Sequence, residues 1–136
     1  MISKKKLLVE KCKPKPETKV ENFCISLEHF DNTQGQGFKD WQRSGLLSLT
    51  MELLTGYCKK PLMEQVDKKK FAIYKSPPPK DKTKFIIPDY IPEDANWARI
   101  HINNRSVLVG HIVGNKFYIV FLDKRHGFWL SEKKHT

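Results

Sequence analysis

The sequence is poor in three features that would assign a protein to a class at once: cysteine, arginine and long apolar runs. Its 136 residues include three cysteines and no CxxC pair, so we expect neither a zinc site nor a disulfide framework, and a reducing cytoplasm as its compartment. No apolar run approaches the ~18 residues of a membrane-spanning helix. The basic first residues lack the apolar stretch of a signal peptide. The GxxxxGK[ST] and GxGxxG motifs of nucleotide-binding proteins are also missing, so we expect no cofactor. From the cysteine spacing and the short apolar runs we likewise expect no metal and no membrane partner.

The charge of the chain is one-sided. Lys and Arg number 25 against 15 Asp and Glu, which gives a formal net charge of +10. Such an excess favours a polyanionic partner: nucleic acid, an anionic membrane face or an acidic protein. Only four basic residues are arginines, and Arg99, Arg105 and Arg125 fall in the C-terminal third. Because arginine makes fixed bidentate contacts to phosphate, these three positions are the first candidates for a site.

Composition divides the chain into a tail and one domain. Residues 1–20 carry seven lysines and two prolines, which predicts a flexible basic leader rather than a regular helix. Residues 21–136 are numerous enough to bury a core without disulfides or metal. We therefore expect a single domain over 21–136.

Hydrophobic spacing predicts an α+β fold. Alternation predicts a strand over 22–30, and apolar residues three and four apart predict one helix, or two helices joined at Ser44–Gly45, over 38–60. After an irregular middle section, β-branched and aromatic residues predict an antiparallel meander. Its strands cover 98–103, 106–113 and 116–122, with a short addition around 127–130. The expected architecture is an N-terminal strand and one or two helices packed on a C-terminal antiparallel β-meander.

The predicted meander brings polar side chains together. Gly114-Asn115 suits the two-residue turn of its second hairpin, and across that hairpin His111 opposes Tyr118. On the first strand, Arg99 and His101 share one face because the strand period is two. A three-residue loop at 103–105 places this pair on the face of His111 and Tyr118, whereas a two-residue loop places it on the opposite face. The sequence leaves both registers open.

The chemistry of these residues suits RNA. The segment that follows the meander adds Lys124, Arg125, His126 and Trp129. RNA is cleaved when its 2′-OH attacks the adjacent phosphate, and a protein assists by moving protons and neutralising charge. Arginine supplies the clamp, histidine acts as base or acid near neutral pH, and an aromatic ring stacks on a splayed base. For each residue alone, the structural alternative is a salt bridge, a satisfied histidine or an ordinary basic turn.

The order of elements and this pattern resemble the RelE/YoeB/ParE toxin superfamily over about residues 22–130. The family pattern of a basic-x-basic pair is matched by Arg99 and His101 in RIH, and its strand-opening arginine by Arg105 in NNRSVLV. Arg125 in DKRHGFW matches the late basic residue, with Trp129 where the family usually has tyrosine. The segment KDWQRSGLLSLTMELL looks like the helical pair of the family.

The resemblance implies a toxin that cleaves messenger RNA at the ribosome and is neutralised by a cognate antitoxin. The implied catalytic residues are Arg99, His101, Arg105, Arg125 and His126, and the candidate RNA-binding residues are His111, Tyr118, Lys124 and Trp129. ParE-like relatives share the fold and act on gyrase, so the fold does not determine the activity. Two alternatives stay open: a non-catalytic nucleic-acid or ribonucleoprotein-binding module, and a protein-binding inhibitor or adaptor.

Overall fold

The computed structural model describes residues 21–130, which form one mixed sheet and two α-helices. The predicted basic leader, residues 1–20, lies outside the described residues. The strands are β1 Cys24–Ser26, β2 Phe71–Ile73, β3 Asn96–His101, β4 Val107–Val113 and β5 Lys116–Asp123. The helices are α1 Phe38–Arg43 and α2 Leu46–Tyr57, and two short 3₁₀ helices cover Leu62–Gln65 and Lys80–Lys82.

The sheet has the strand order β1-β5-β4-β3-β2. Strands β3, β4 and β5 form an antiparallel meander, as the sequence predicts. β2 adds to one edge antiparallel to β3, and β1 adds to the other edge parallel to β5. The α+β class is confirmed, and the sheet is wider than the predicted meander and mixed in direction.

The first meander loop decides which face carries the polar residues. His101 pairs with Val107, so the loop at 103–105 has three residues. The side-chain oxygen of Asn103 accepts hydrogen bonds from the backbone N–H groups of Arg105 and Ser106, at 2.8 and 2.6 Å, which stabilises this turn. Arg99 and His101 therefore lie on the same face of the sheet as His111 and Tyr118.

The helices cover the opposite face. Gly45 adopts a φ of 77° between α1 and α2, a left-handed conformation that glycine adopts without strain, and this confirms the predicted joint. Trp41, Leu46 and Leu54 of the helices pack into one core with Ile100, Leu108 and Phe117 of the sheet. A second core on the other face contains Ile91, Trp97, Val109, Phe121 and Phe128.

Two strand predictions need correction. The N-terminal strand covers only 24–26 instead of 22–30, because the Ser26 side chain accepts a hydrogen bond from the backbone N–H of Glu28 and turns the chain. Residues 127–130 do not form a strand. The backbone N–H groups of Gly127 and Phe128 donate instead to the carboxylate of Asp123, at 2.9 Å each, so they are not free to pair with a neighbouring strand.

Over residues 21–130, none of the helices has the length and apolar character that crossing a membrane requires; the longer α-helix, α2, has 12 residues. Within the same range, no group of three or more His, Cys, Asp or Glu side chains is arranged to hold a metal ion. Cys24 and Cys58 are exposed free thiols.

Candidate nucleic-acid interface

Five half-buried side chains meet on the face of the sheet away from the helices. They come from β3, from the residue after β2 and from the loop after β5, and we call them the Arg99 cluster: Tyr74, Arg99, His101, His126 and Trp129. The guanidinium carbon of Arg99 lies 5.5 Å from the ring centroid of Tyr74. The rings of Tyr74 and Trp129 are 4.6 Å apart, and those of His101 and His126 are 5.3 Å apart. The cluster thus combines a cation, two imidazoles and an aromatic pair.

Two hydrogen-bond donors of the Arg99 guanidinium are unpaired within the described residues. Its Nε and Nη1 atoms are buried and have no hydrogen-bond partner within the described residues. A buried donor without a partner costs about 1–3 kcal/mol, so a phosphate that displaced the side chains covering these atoms and accepted their N–H groups would recover that cost. Phosphate oxygens match the fork of N–H donors on a guanidinium.

Hydrogen bonds to backbone carbonyls set the orientation of both imidazoles. Nδ1 of His101 donates to the carbonyl of Asn103 at 3.2 Å, and Nδ1 of His126 donates to the carbonyl of Trp129 at 2.7 Å. Because a carbonyl only accepts, the hydrogen of each neutral ring is on Nδ1, and Nε2 has a free lone pair. Each Nε2 is therefore the atom able to take up a proton.

The surroundings of His101 keep it neutral at pH 7. Burial is the largest cause that lowers the pKa of His101, and the positive charge of Arg99 adds to it. The hydrogen bond to Asn103 acts in the opposite direction, and His126 lowers the pKa further. A neutral imidazole beside a guanidinium has the protonation state that a general base requires.

The loop that carries His126 is held by buried polar groups. The Asp123 side chain is 2% exposed, and its two carboxylate oxygens accept the hydrogen bonds from Gly127 and Phe128. The hydroxyl of Ser106 donates to the carbonyl of Lys124 at 2.9 Å, and the side-chain oxygen of Gln36 accepts from the Lys124 backbone N–H at 2.6 Å. His126 itself has a φ of 59°, which is uncommon for a residue with a side chain. These contacts fix the position of the His126 ring.

The remaining predicted basic residues lie outside the Arg99 cluster. Arg105 lies in the β3–β4 loop, and Lys124 and Arg125 lie in the loop after β5; all three are exposed. Arg125 also lines a separate cavity of about 380 Å³ together with Lys84 and Asp123. These positions suit contacts to phosphates along a bound strand rather than contacts to the two imidazoles.

His111 and Tyr118 belong to a second group, near the other end of β3. His111 is 1% exposed, and its Nε2 is 2.9 Å from Nδ1 of His29, with one ring donating to the other. The Tyr118 ring stacks on both, at 4.7 Å from His111 and 4.6 Å from His29. Burial, with a contribution from the charge of His29, lowers the pKa of His111 to about 4. His111 is thus a buried structural residue and not part of a surface that RNA could reach.

The two groups are separated along the sheet. His111 pairs with Trp97, and His101 is four residues further along β3, which corresponds to about 13 Å. All four polar side chains lie on one face of the sheet, as the register with a three-residue loop predicts. They do not form a single site, however. Only Arg99, His101, His126 and Trp129 of the predicted residues come together.

Sequence reasoning missed Tyr74, Asp123 and His29. Tyr74 ends a short apolar segment, and nothing in the sequence distinguishes it from an ordinary strand residue. Asp123 stands before a basic, glycine-containing turn, and this is a signal for a carboxylate that binds turn N–H groups. His29 contacts His111 only because the tertiary structure brings them together, since the two residues are 82 positions apart in sequence.

Comparisons of the chain with family models, curated proteins and solved structures found no match. The resemblance to the RelE superfamily stays a prediction.

Proposed function

We propose that this protein cleaves single-stranded RNA and that the Arg99 cluster is its reaction centre. The observation that supports this most directly is the placement of two imidazole rings 5.3 Å apart beside a guanidinium whose Nε and Nη1 donors have no partner among the described residues. A base, an acid and an anion clamp are the three groups that cleavage of RNA by its own 2′-OH requires.

In the proposed reaction, Nε2 of His101 takes the proton of the 2′-OH as its oxygen attacks the adjacent phosphorus. The bond from phosphorus to the 5′ oxygen breaks, and that oxygen receives a proton from the imidazolium of His126. Arg99 holds the phosphate and stabilises the charge that builds up on its oxygens. The products are a 2′,3′-cyclic phosphate and a free 5′-OH, and a base next to the cleaved bond stacks on Tyr74 and Trp129.

The RelE-like assignment is part of this proposal. The order of one strand, two helices and an antiparallel meander supports it, as does the position of Arg99 and His101 on the first meander strand. On this basis we propose messenger RNA as substrate, the ribosome as the place of cleavage, an antitoxin as partner and the cytoplasm as compartment. Trp129 has no hydroxyl to donate, so proton transfer depends on the histidines.

The proposal is tested with purified protein and messenger RNA, with and without ribosomes. We expect the wild type to produce fragments that end in a 2′,3′-cyclic phosphate. His101→Ala and His126→Ala are each expected to lower the rate about 100-fold or more. Arg99→Ala is expected to lower it about 100-fold, because it removes the clamp on the phosphate.

Arg43→Ala is the matched control for Arg99→Ala, since Arg43 is an exposed residue of α1. This variant should cleave at the wild-type rate. Cleavage that persists undiminished in the three cluster variants, or fragments with a 3′-OH in place of the cyclic phosphate, would contradict the proposed centre.

A non-catalytic RNA-binding module is the second candidate. The observation that favours it is the exposure of Arg105, Lys124 and Arg125, which suits contacts to phosphates that need no reaction. RNA binding that depends on these residues and on Trp129, with no cleavage under either condition, would support this candidate against the first.

A further inference from the structure

A cavity of about 380 Å³ opens beside His101, where β3 ends. Its wall is formed by one residue of α2, two lysines, the last residue of β3 and the three residues that follow it, and none of its lining residues is acidic. The lining residues are Leu53, Lys69, Lys70, His101, Ile102, Asn103 and Asn104. Because His101 lines the cavity and its ring belongs to the Arg99 cluster, the cavity lies at the end of β3, next to the residue that carries the proposed base.

The loop that presents the two lysines is held in place by its own backbone. The carboxylate of Asp67 accepts hydrogen bonds from the N–H groups of Lys69, Lys70 and Phe71, at 2.9, 2.8 and 2.9 Å. The carbonyl of Lys70 accepts a hydrogen bond from the backbone N–H of His101 at 2.7 Å, which ties this loop to β3. The loop therefore holds the backbone of both lysines beside the end of β3 before any ligand binds.

Within the described part of the chain, no carboxylate pairs directly with these lysines. Asp67 is the nearby carboxylate, and the three backbone N–H groups hold its pKa below its ordinary value. Neither Lys69 nor Lys70 forms an ion pair within residues 21–130. Two lysines and two asparagines at one cavity, with no acid in its wall, form a site for an anion of phosphate size.

We infer that this cavity is a second phosphate subsite, which binds the phosphate next to the one that is cleaved. The inference rests on the proposed function for its substrate, and it makes that substrate more specific. Stacking on Tyr74 and Trp129 requires an unpaired base, and lysine contacts to phosphate carry no base preference. The preferred substrate is then a single-stranded RNA with a phosphate on both sides of one nucleotide, not a dinucleotide with a single phosphate.

Calorimetric titration with short, uncleavable probes tests the subsite. The probes are a 2′-deoxy dinucleotide, the same dinucleotide with a 5′-terminal phosphate, and the same dinucleotide with a 3′-terminal phosphate. We expect one of the two terminal phosphates to tighten binding about tenfold in the wild type. The double variant Lys69→Ala/Lys70→Ala should lose this gain and bind the plain dinucleotide as before.

Lys39→Ala/Lys59→Ala is the matched control, because it removes two exposed lysines that do not line the cavity. It should keep the tenfold gain. A wild type that gains from neither phosphate, or a control that loses the gain as fully as the Lys69/Lys70 variant does, overturns the subsite. Because the probes lack the 2′-OH, a gain in binding without any cleavage of RNA would retain the subsite and refute only the proposed reaction.

Discussion

At the scale of single residues, burial separates histidines that look alike in the sequence. His101 and His126 are half-buried, and each donates from Nδ1 to a carbonyl, which leaves Nε2 free. His111 is nearly fully buried and shares its Nε2 with His29, while its Nδ1 has no partner within the described residues. The first two can exchange protons with a bound ligand, and the third affects the stability of the fold.

His111 predicts how stability depends on pH. Its pKa is about 4 in the folded protein and near 6.5 in the unfolded chain, so the unfolded chain binds more protons between these values. The free energy of unfolding should therefore fall as pH decreases from 6.5 to 4, by on the order of 3 kcal/mol from this group. Urea unfolding at pH 7.5, 6, 5 and 4 measures it.

His111→Phe keeps a ring beside Tyr118 and removes the titrating group, so its stability should change less over the same pH range. His126→Gln is the control, and it should follow the wild-type profile. A His111→Phe variant whose stability falls as steeply as that of the wild type would show that other groups cause the acid sensitivity.

At the scale of elements, the β4–β5 hairpin depends on one glycine. Gly110 lies on the helix-facing side of β4, next to a register shift that lets two residues of β5 oppose one of β4. A Cβ atom at this position would collide with the backbone carbonyl oxygen of Tyr118. Since that oxygen belongs to the neighbouring strand, it cannot move aside as a flexible side chain could.

Gly110→Ala is expected to destabilise the protein by about 3 kcal/mol, because the two strands must separate to admit the methyl group. Gly56→Ala is the matched control: Gly56 lies in α2 with open space around it, and alanine should stabilise the helix by about 0.5–1 kcal/mol. Urea unfolding of both variants provides the measurement. Equal effects of the two substitutions would mean that β4 and β5 are not as close at this position as described.

At the scale of the whole molecule, several of the basic residues behind the net charge of +10 lie close together in the fold. Arg99 and His101 lie on β3, Lys69 and Lys70 precede β2, and Arg105 lies in the β3–β4 loop. All of these positions are on β3 or on elements next to it in the strand order β1-β5-β4-β3-β2. A bound strand that crosses this part of the sheet would meet several cations in succession.

This arrangement predicts that RNA binding depends on salt and that particular basic residues cause part of the dependence. Binding of a single-stranded 2′-O-methyl RNA should weaken with salt, with a slope of log K against log salt of about −0.7 for each phosphate contact. Arg105→Ala/Arg125→Ala should make that slope shallower by about 1.4, which is about 0.7 for each arginine, whereas Lys39→Ala should leave it unchanged. Fluorescence anisotropy between 50 and 300 mM salt measures both slopes. Over this range the Debye length falls by about twofold. An unaltered slope in the double variant would exclude these arginines from the interface.

Local signals in the sequence were sufficient for much of the fold. The joint at Gly45 and the hairpin at Gly114–Asn115 follow from conformations that few residues adopt, so they could be predicted. The pairing of Arg99 with His101 on one face follows from the period of a strand alone. The loop after β5 could not be predicted as irregular, because the hydrogen bonds of Asp123 compete there with strand pairing.

The α+β class, the order of the elements and the placement of basic and aromatic residues on the meander follow from local sequence, since these depend on neighbours along the chain. The register of β3 against β4, the burial of His111 and the contact of His101 with His126 follow only from the tertiary structure, because each depends on pairing between distant segments. The tertiary structure also brought Tyr74, Lys69 and Lys70 to β3 through the pairing of β2. The chemistry proposed for this protein therefore depends on which strands become neighbours, a property that local spacing does not encode.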